Sequence, residues 1–289
     1  MCETIEIREP EIFGDTECPI AENPLWDERS HTLYWRGSNG DLYRRKTNDP
    51  AAEMESVQLP GIIGGFVFGE NDGELILLGE RGLIRKYRWG EDAQTIAVMP
   101  GAHEGTLIND VIAAPDGSIF FGVLKDYYFQ AEKQTGKPGS LWQFTAERKF
   151  IQWETDAGGT PNGMAFSCDR SKYYFAVTDH QCIYEYDYPA MTGKRKFITP
   201  GHSADGITID GEGRIWESDC GQHIYCYSPS GEMLKVYHFP TLSGISSVII
   251  GDRLYFTSMN FRRREGYPMG KVYALDVEST PVPEFRVKF

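Results

Sequence analysis

A short apolar or aromatic segment recurs six times along the chain at nearly even spacing. The copies begin at Leu33, Leu75, Ile119, Tyr173, Ile215 and Leu254. Successive copies start 42, 44, 54, 42 and 39 residues apart. Turn-like tracts precede them, such as Asn-Asp-Gly at 71–73 and Pro-Asp-Gly at 115–117, and these tracts favour hairpins because their residues tolerate positive φ. The repeat therefore predicts six units of short antiparallel strands.

Units of about 40 to 45 residues have the size of a β-propeller blade. No sustained apolar pattern of helical period competes with this interpretation. We therefore expect an all-β fold, a six-bladed β-propeller that forms one domain over residues 1–289. The segments 4–8 and 285–289 both have strand-like sequences, and we expect these strands from the two ends of the chain to close the ring and protect a free sheet edge.

Two insertions interrupt the repeat, one at 125–138 and one at 260–269. Loops of this length in compact domains are often functional lids. A plain surface loop without a role is the alternative for each of them. The second insertion carries three consecutive arginines, 262–264.

The charge and the cysteines exclude several classes of partner and site. Acidic residues outnumber basic ones, 42 against 29, so the formal net charge is −13. Such a surface repels nucleic-acid phosphates and anionic lipids, which argues against both as partners. The six cysteines include no Cys-x-x-Cys pair, so we expect neither a disulfide framework nor a thiolate zinc site.

The first residues lack the apolar run of a signal peptide, and no segment approaches the roughly 20 apolar residues of a membrane span. We expect a cytoplasmic protein that is a monomer or a weak dimer.

Counting back 10 or 11 residues from each repeated segment reaches the start of the strand before it. The residues at these positions are Glu22, Gly65, Asn109, Asn162, Asp205 and Gly244. The first strand of a propeller blade is the innermost one, so these residues are expected to face the central channel. Four of the six carry a carboxylate or carboxamide oxygen, and no lysine or arginine occupies an equivalent position.

A bound cation is the simplest way to hold these oxygens together. Two carboxylates in one small buried space repel each other strongly because the local dielectric constant is low. Oxygen donors suit Ca²⁺, Mg²⁺ or Mn²⁺ better than a thiolate-seeking metal. The alternative is that the four residues merely cap strand ends and turns. Because all four fall in register, we expect a central metal site.

The segment Ala-Glu-Asn-Pro-Leu-Trp-Asp at 21–27 resembles the opening motif of the senescence-marker-protein, gluconolactonase and luciferin-regenerating family, also called regucalcin-like. Further motifs follow in the family's order: Ile-Asn-Asp at 108–110, Pro-Asn-Gly-Met-Ala-Phe at 161–166 and Ala-Asp-Gly-Ile at 204–207. The resemblance extends over nearly the whole chain, from about Glu22 to Asp276.

The resemblance implies a six-bladed propeller with one divalent metal ion in its channel. By motif position, Glu22, Asn162 and Asp205 resemble the ligands of that ion. Asn109 resembles a nearby residue that either contacts the substrate or lies beside the metal as an additional residue. We expect Ca²⁺, with Mg²⁺, Mn²⁺ or Zn²⁺ as alternatives. The activity that the resemblance implies is hydrolysis of lactones, chiefly those of sugar acids, and related members act on other esters or phosphotriesters.

Metal chemistry suggests roles for the predicted hub residues. A divalent ion polarises a lactone carbonyl and lowers the pKa of bound water. Asp205 is the candidate to accept a proton or orient water, and Asn109 is the second candidate catalytic residue. The sequence has no Gly-x-Ser-x-Gly motif, so we expect no serine nucleophile. Two alternatives stay open: a phosphotriesterase or isomerase with the same ion, and a non-catalytic metal-binding propeller whose rim binds a protein.

Two residues depart from the family pattern near the predicted site. Family members that act on sugar lactones usually have an arginine two residues before the channel asparagine, and this chain has Leu107 there. Where the family tends to have aspartate after the first unit's second strand, this chain has Arg36. Since Leu107 would leave the hydroxyls of a sugar lactone unpaired, we expect a less polar lactone or ester substrate.

Four side chains are further candidates at the mouth of the channel. His103, Tyr128 and His180 are candidate substrate-binding residues, because they lie in segments expected to rim or cover the opening. His202, three residues before Asp205, is a candidate proton shuttle. Ordinary surface or loop packing is the alternative for each.

Overall fold

In the computed structural model, the chain folds into six β-sheets around a central channel. The structure describes residues 3–125 and 138–289. Two strands precede the first complete sheet: β1 (Glu3–Glu6) and β2 (Glu11–Cys18). The remaining strands follow in order as six successive blades.

Each blade is an antiparallel meander of strands that are consecutive in sequence. The first blade contains β3 (Ala21–Asp27), β4 (Thr32–Gly37), β5 (Asp41–Lys46) and β6 (Glu55–Gln58). The second contains β7 (Ile63–Gly69), β8 (Glu74–Gly79), β9 (Leu83–Arg88) and β10 (Gln94–Val98). The third contains β11 (Leu107–Ala113), β12 (Ile119–Leu124), β13 (Ser140–Phe144) and β14 (Phe150–Glu154).

The other three blades repeat this arrangement. The fourth contains β15 (Pro161–Phe166), β16 (Lys172–Val177), β17 (Cys182–Asp187) and β18 (Thr192–Ile198), with a 3-10 helix at Thr178–His180. The fifth contains β19 (Ile207–Ile209), β20 (Ile215–Ser218), β21 (His223–Tyr227) and β22 (Met233–His238). The sixth contains β23 (Gly244–Ile250), β24 (Leu254–Met259) and β25 (Gly270–Leu275), and the short strand β26 (Arg286–Val287) follows it.

The first strands of the blades surround the channel. They contact one another in the order β3, β7, β11, β15, β19, β23 and back to β3. Six blades around one axis make a β-propeller, which confirms the predicted fold class. Each of the six repeated apolar segments lies in the second strand of its blade.

The core lies between the blades. Every residue of β4, β8 and β12 is buried, because each second strand packs against a neighbouring blade on both faces. One apolar cluster, for example, joins Ile76 of the second blade to Phe121 of the third. This two-sided burial explains why the repeated segments are apolar throughout instead of alternating with polar residues.

The ring is closed by Glu11–Cys18. This strand, β2, pairs antiparallel with β25 and becomes the fourth strand of the last blade. The two segments near the chain ends pair elsewhere. Within 4–8, β1 adds to the outer edge of the fifth blade, parallel to β22. Within 285–289, β26 runs parallel to β7 on the channel side of the second blade. Eight residues of β2 can cover the whole length of β25, which the four residues of β1 cannot.

The C-terminal segment reaches the end of the channel where the first strands finish. Residues 282–285 line a cavity of about 80 Å³ there, together with Asp110, Ala165 and Thr208 of three first strands. Within the described parts of the chain, no helix has the length and apolar character needed to cross a membrane.

We predict that Phe121→Ala lowers the free energy of unfolding by about 3–5 kcal/mol, because Phe121 is 0% exposed between two blades and its loss leaves a cavity. Urea denaturation followed by circular dichroism measures the change. Phe261→Ala is the control, since Phe261 is 54% exposed and its loss should cost less than about 0.5 kcal/mol. Equal effects of the two substitutions would contradict packing between the blades.

Candidate functional site

Five of the six first strands break their pairing with the second strand near where they begin. The register shifts lie between Glu22 and Leu25, Ile63 and Gly65, Ile108 and Val111, Pro161 and Met164, and Ile245 and Ser247. A bulge at such a break re-aims the local side chains. Glu22, Asn109 and Asn162 lie at or within these breaks, at the end of the channel where the first strands begin. We call this end, with Asp205, the hub.

The two hub asparagines bond to each other across neighbouring blades. The Nδ2 atom of Asn109 donates to the Oδ1 atom of Asn162 over 2.8 Å and to the Pro161 carbonyl over 3.2 Å. Asn162 Nδ2 donates to Thr178 Oγ1 over 2.8 Å. That hydroxyl in turn donates to the Ala204 carbonyl over 2.8 Å. This chain of hydrogen bonds fixes both amide orientations and leads directly to the residue before Asp205.

A backbone hydrogen bond holds Asp205 against β15, the strand that contains Asn162. The N–H of Gly163, which follows Asn162, donates to the Asp205 carbonyl over 3.0 Å. A Cβ atom on Gly163 would lie 2.3 Å from that carbonyl oxygen, so only glycine allows this approach. Asp205 is 6% exposed, and its Oδ2 atom accepts a hydrogen bond from Cys220 Sγ over 3.0 Å.

Burial makes Asp205 a weak acid. Desolvation raises the pKa of its carboxyl to about 8, and the nearby negative charges of Asp110 and Glu217 act in the same direction. The Cys220 hydrogen bond and the positive charge of Arg36 oppose the rise. Desolvation also raises the pKa of Asp110 to about 6, again against the charge of Arg36. The channel therefore holds several acids whose charged forms are unfavourable without a cation.

One cation reaches the hub from a second strand. The guanidinium of Arg36 forms an ion pair with the carboxylate of Glu22, and the two side chains are 5% and 25% exposed. Glu22 and Arg36 are directly paired residues of β3 and β4. The sequence showed no basic residue at the equivalent first-strand positions, and it marked Arg36 only as a departure from the family pattern. The ion pair was missed, although the hairpin register sets these two residues opposite each other.

Leu107 is next to the predicted site. It is 5% exposed and lines a small cavity of about 40 Å³ with Glu22, Arg36 and Asn109. The wall that Leu107 contributes is apolar, whereas the other three side chains are polar. This cavity thus combines one apolar surface with an amide, a carboxylate and a guanidinium.

The two predicted rim histidines form hydrogen bonds with residues close to them in sequence. His103 is exposed, and its Nδ1 atom accepts the Gly105 N–H over 3.1 Å within its own loop. His180 is also exposed and bonds to the hydroxyl of Tyr184 over 3.0 Å. Tyr128 lies outside the described residues.

His202 belongs to a buried acid cluster beside the hub that the sequence analysis did not single out. Its Nε2 atom lies 2.9 Å from Oε1 of Glu217, a side chain with 0% exposure. The Tyr227 hydroxyl donates to the same carboxylate over 3.0 Å. Burial raises the pKa of Glu217 against these hydrogen bonds. Glu217 ends a second strand, as Arg36 does, so the repeat spacing of the first strands could not reveal it.

The donor set at the hub fits a hard divalent cation. It consists of two carboxylates, Glu22 and Asp205, and two amides, Asn109 and Asn162, and all four provide oxygen. Asp205 supplies the strongest observation, because its buried carboxyl has a thiol rather than a cation as its hydrogen-bond partner. Within the described residues, no group of three or more His, Cys, Asp or Glu side chains is arranged to hold a metal, so a site here depends on the amides.

A family model described as the SMP-30/Gluconolactonase/LRE-like region matches residues 20–260. The chain belongs to this family. The match confirms the resemblance that the motifs at 21–27, 108–110, 161–166 and 204–207 indicated.

Relatives within and near this family are named as lactonases. Pentonolactonase XacC of Haloferax volcanii is 29% identical to this chain, and the match covers 94% of this chain and 96% of the relative. The 6-deoxy-6-sulfogluconolactonase of Pseudomonas putida is 28% identical, over 83% of this chain and 81% of its own. A solved structure of a calcium-binding protein, regucalcin, from Agrobacterium tumefaciens strain C58 matches with a TM-score of 0.87 at 19% identity, over 100% of both chains. This structural likeness supports the propeller fold.

In metal-free protein, we predict that Asp205→Asn stabilises the fold increasingly as the pH rises from about 4 to about 8. The folded state keeps the Asp205 proton in this range, whereas the unfolded chain, with an ordinary carboxyl pKa, releases it. The folded state then binds more protons, so the parent's free energy of unfolding falls as pH rises, by on the order of several kcal/mol. The asparagine of the variant cannot ionise, so the free energy of unfolding of the variant does not fall in this way.

Urea denaturation in EDTA at pH 5 and pH 8 measures the difference between the variant and the parent. Asp92→Asn is the control, because it makes the same chemical change at an exposed position. A difference between Asp205→Asn and the parent that is the same at both pH values would contradict a buried, protonated Asp205.

Proposed function

We propose that this protein is a lactonase, a divalent-cation-dependent hydrolase of a lactone or related ester less polar than a sugar lactone. Family membership and the lactonases among its relatives support the reaction class. The observation that carries the proposal is the buried carboxyl of Asp205 beside the bonded Asn109–Asn162 pair. These groups offer a set of oxygen donors at one end of the channel.

Glu22, Asn162 and Asp205 are the residues that would hold the cation. When bound, a divalent cation supplies Lewis acidity toward a carbonyl group and lowers the pKa of water. Asp205 would accept the proton of the attacking water. The burial of its carboxyl and the backbone hydrogen bond from Gly163 to its carbonyl support this role. The amide of Asn109, fixed by its bonds to the neighbouring blade, orients the substrate at the cavity that it lines.

Leu107 supports a substrate with few hydroxyl groups. Its buried side chain forms the apolar wall of the cavity beside Asn109. A hydroxyl placed against this wall would lose its hydrogen bonds to water and gain none from the protein, which costs about 1–3 kcal/mol. An alkyl or aryl group would instead lose unfavourable contact with water at the same place.

A second candidate function is cation binding without catalysis. The related regucalcin structure is named as a calcium-binding protein, and a cation at the hub would join residues from the first, fourth and fifth blades. In that case the cation would stabilise the ring and the protein would show no turnover. Measured cation binding without hydrolysis of any lactone or ester would favour this role.

We predict that EDTA abolishes lactone hydrolysis and that added Ca²⁺, Mn²⁺ or Zn²⁺ restores it. Asp205→Asn should lower kcat by at least about 100-fold, because it removes the group that accepts the proton. Asp92→Asn, at an exposed position, serves as the matched control. Circular dichroism confirms that each variant is folded. Full activity in EDTA would exclude the proposed mechanism.

We predict that kcat/KM is higher for aliphatic or aromatic lactones than for glucono-lactone. Leu107→Arg should reverse part of this preference, since an arginine at this position supplies hydrogen bonds to substrate hydroxyls. A substrate panel with both proteins measures the ratio of the two kcat/KM values. Stronger turnover of glucono-lactone by the unaltered protein would contradict the proposed substrate class.

A further inference from the structure

Arg36 is a buried positive charge at the hub. Its side chain is 5% exposed, and its guanidinium pairs with the Glu22 carboxylate across the β3–β4 ladder. Arg36 also lines the cavity that contains Leu107 and Asn109. A guanidinium keeps its charge at any pH that a folded protein tolerates. The hub therefore contains a permanent cation of its own.

We propose that Arg36 is a built-in counter-ion that competes with the divalent cation for Glu22. It stabilises the metal-free hub and weakens cation binding there. This inference rests on the cation site of the proposed function, since it concerns the ion pair that Glu22 loses when a cation binds there.

The competition follows from charge and geometry. The Glu22 carboxylate engages the guanidinium of Arg36, so binding a divalent cation through the same carboxylate requires that this ion pair be broken or shared. The positive charge of Arg36 also repels a second cation in a space of low dielectric constant. Breaking this pair costs free energy because the guanidinium, which is 5% exposed, loses its partner. The broken pair and the repulsion both reduce cation affinity, and neither acts on the metal-free protein.

Arg36 also changes how stable the metal-free protein is. Without Arg36, Glu22 would be added to the unneutralised acids of the channel, so the metal-free ring would be less stable and would gain more stability from a cation. With Arg36, Glu22 has a partner of opposite charge before the cation arrives. Cation occupancy then becomes a response to the cation concentration instead of a requirement for folding.

The test compares cation binding by the parent protein, Arg36→Met and Arg36→Lys. Methionine keeps much of the side-chain volume without the charge, and lysine keeps the charge. Arg85→Met is the matched control, because Arg85 is equally buried but its guanidinium bonds the carbonyl of Pro60 instead of a hub carboxylate. Isothermal titration calorimetry with CaCl₂ and with MnCl₂ gives Kd, and thermal unfolding with and without the cation gives the change in Tm.

We expect Arg36→Met to bind the cation at least about tenfold more tightly than the parent. Its metal-free Tm should fall, and the rise in Tm on adding the cation should exceed that of the parent. Arg36→Lys and Arg85→Met should keep a Kd within about threefold of the parent value. Equal or weaker binding by Arg36→Met, with binding by the parent intact, overturns the role of Arg36 alone. An absence of binding by all four proteins overturns the cation site and the proposed function with it.

Discussion

The cost of keeping carboxylates in a buried channel is the constraint on which the rest of this structure depends. Asp205 and Glu217 lose most of their contact with water, and burial raises the pKa of both. The protein compensates with groups from several blades. Arg36 pairs with Glu22, and Cys220 donates a hydrogen bond to Asp205. Each of these two contacts lies within a single blade, whereas the Asn109–Asn162 hydrogen bond joins two blades.

The propeller architecture brings the buried carboxylates together, and the packing between its blades offsets their free-energy cost. Apolar side chains fill the space between blades, so stability comes mainly from contacts such as that of Phe121 with the second blade. The axis, in contrast, is lined by strand ends with unpaired backbone positions and polar side chains. A destabilising group at the axis is held in place because six inter-blade interfaces hold the ring together.

The sequence alone was sufficient for the six blades and for the positions of Glu22, Asn109 and Asn162, because a fixed repeat determines which residue begins each first strand. The same spacing could not reveal Arg36. Its contact with Glu22 depends on the hairpin register, which places residues 14 positions apart opposite each other. The ring-closing strand at 11–18 was also missed, since it has no copy of the turn tract that marks the other units.

Glu217 and Cys220 escaped prediction for a related reason. Both come from the end of β20 or the residues after it, and nothing in the repeat distinguishes that position from an ordinary loop. Polar residues at the ends of second strands are therefore as informative about a propeller hub as those at the starts of first strands. Arg36 and Glu217 occupy equivalent positions near the ends of β4 and β20.

The register breaks separate the residues that face the channel from those that hold each sheet together. Asn109 and Asn162 lie inside such breaks, where they have no ladder partner in the second strand. Exchanging these side chains would alter the lining of the channel while the hydrogen-bonded frame around it stays the same. The lining of the channel can thus be redesigned residue by residue on an unchanged scaffold.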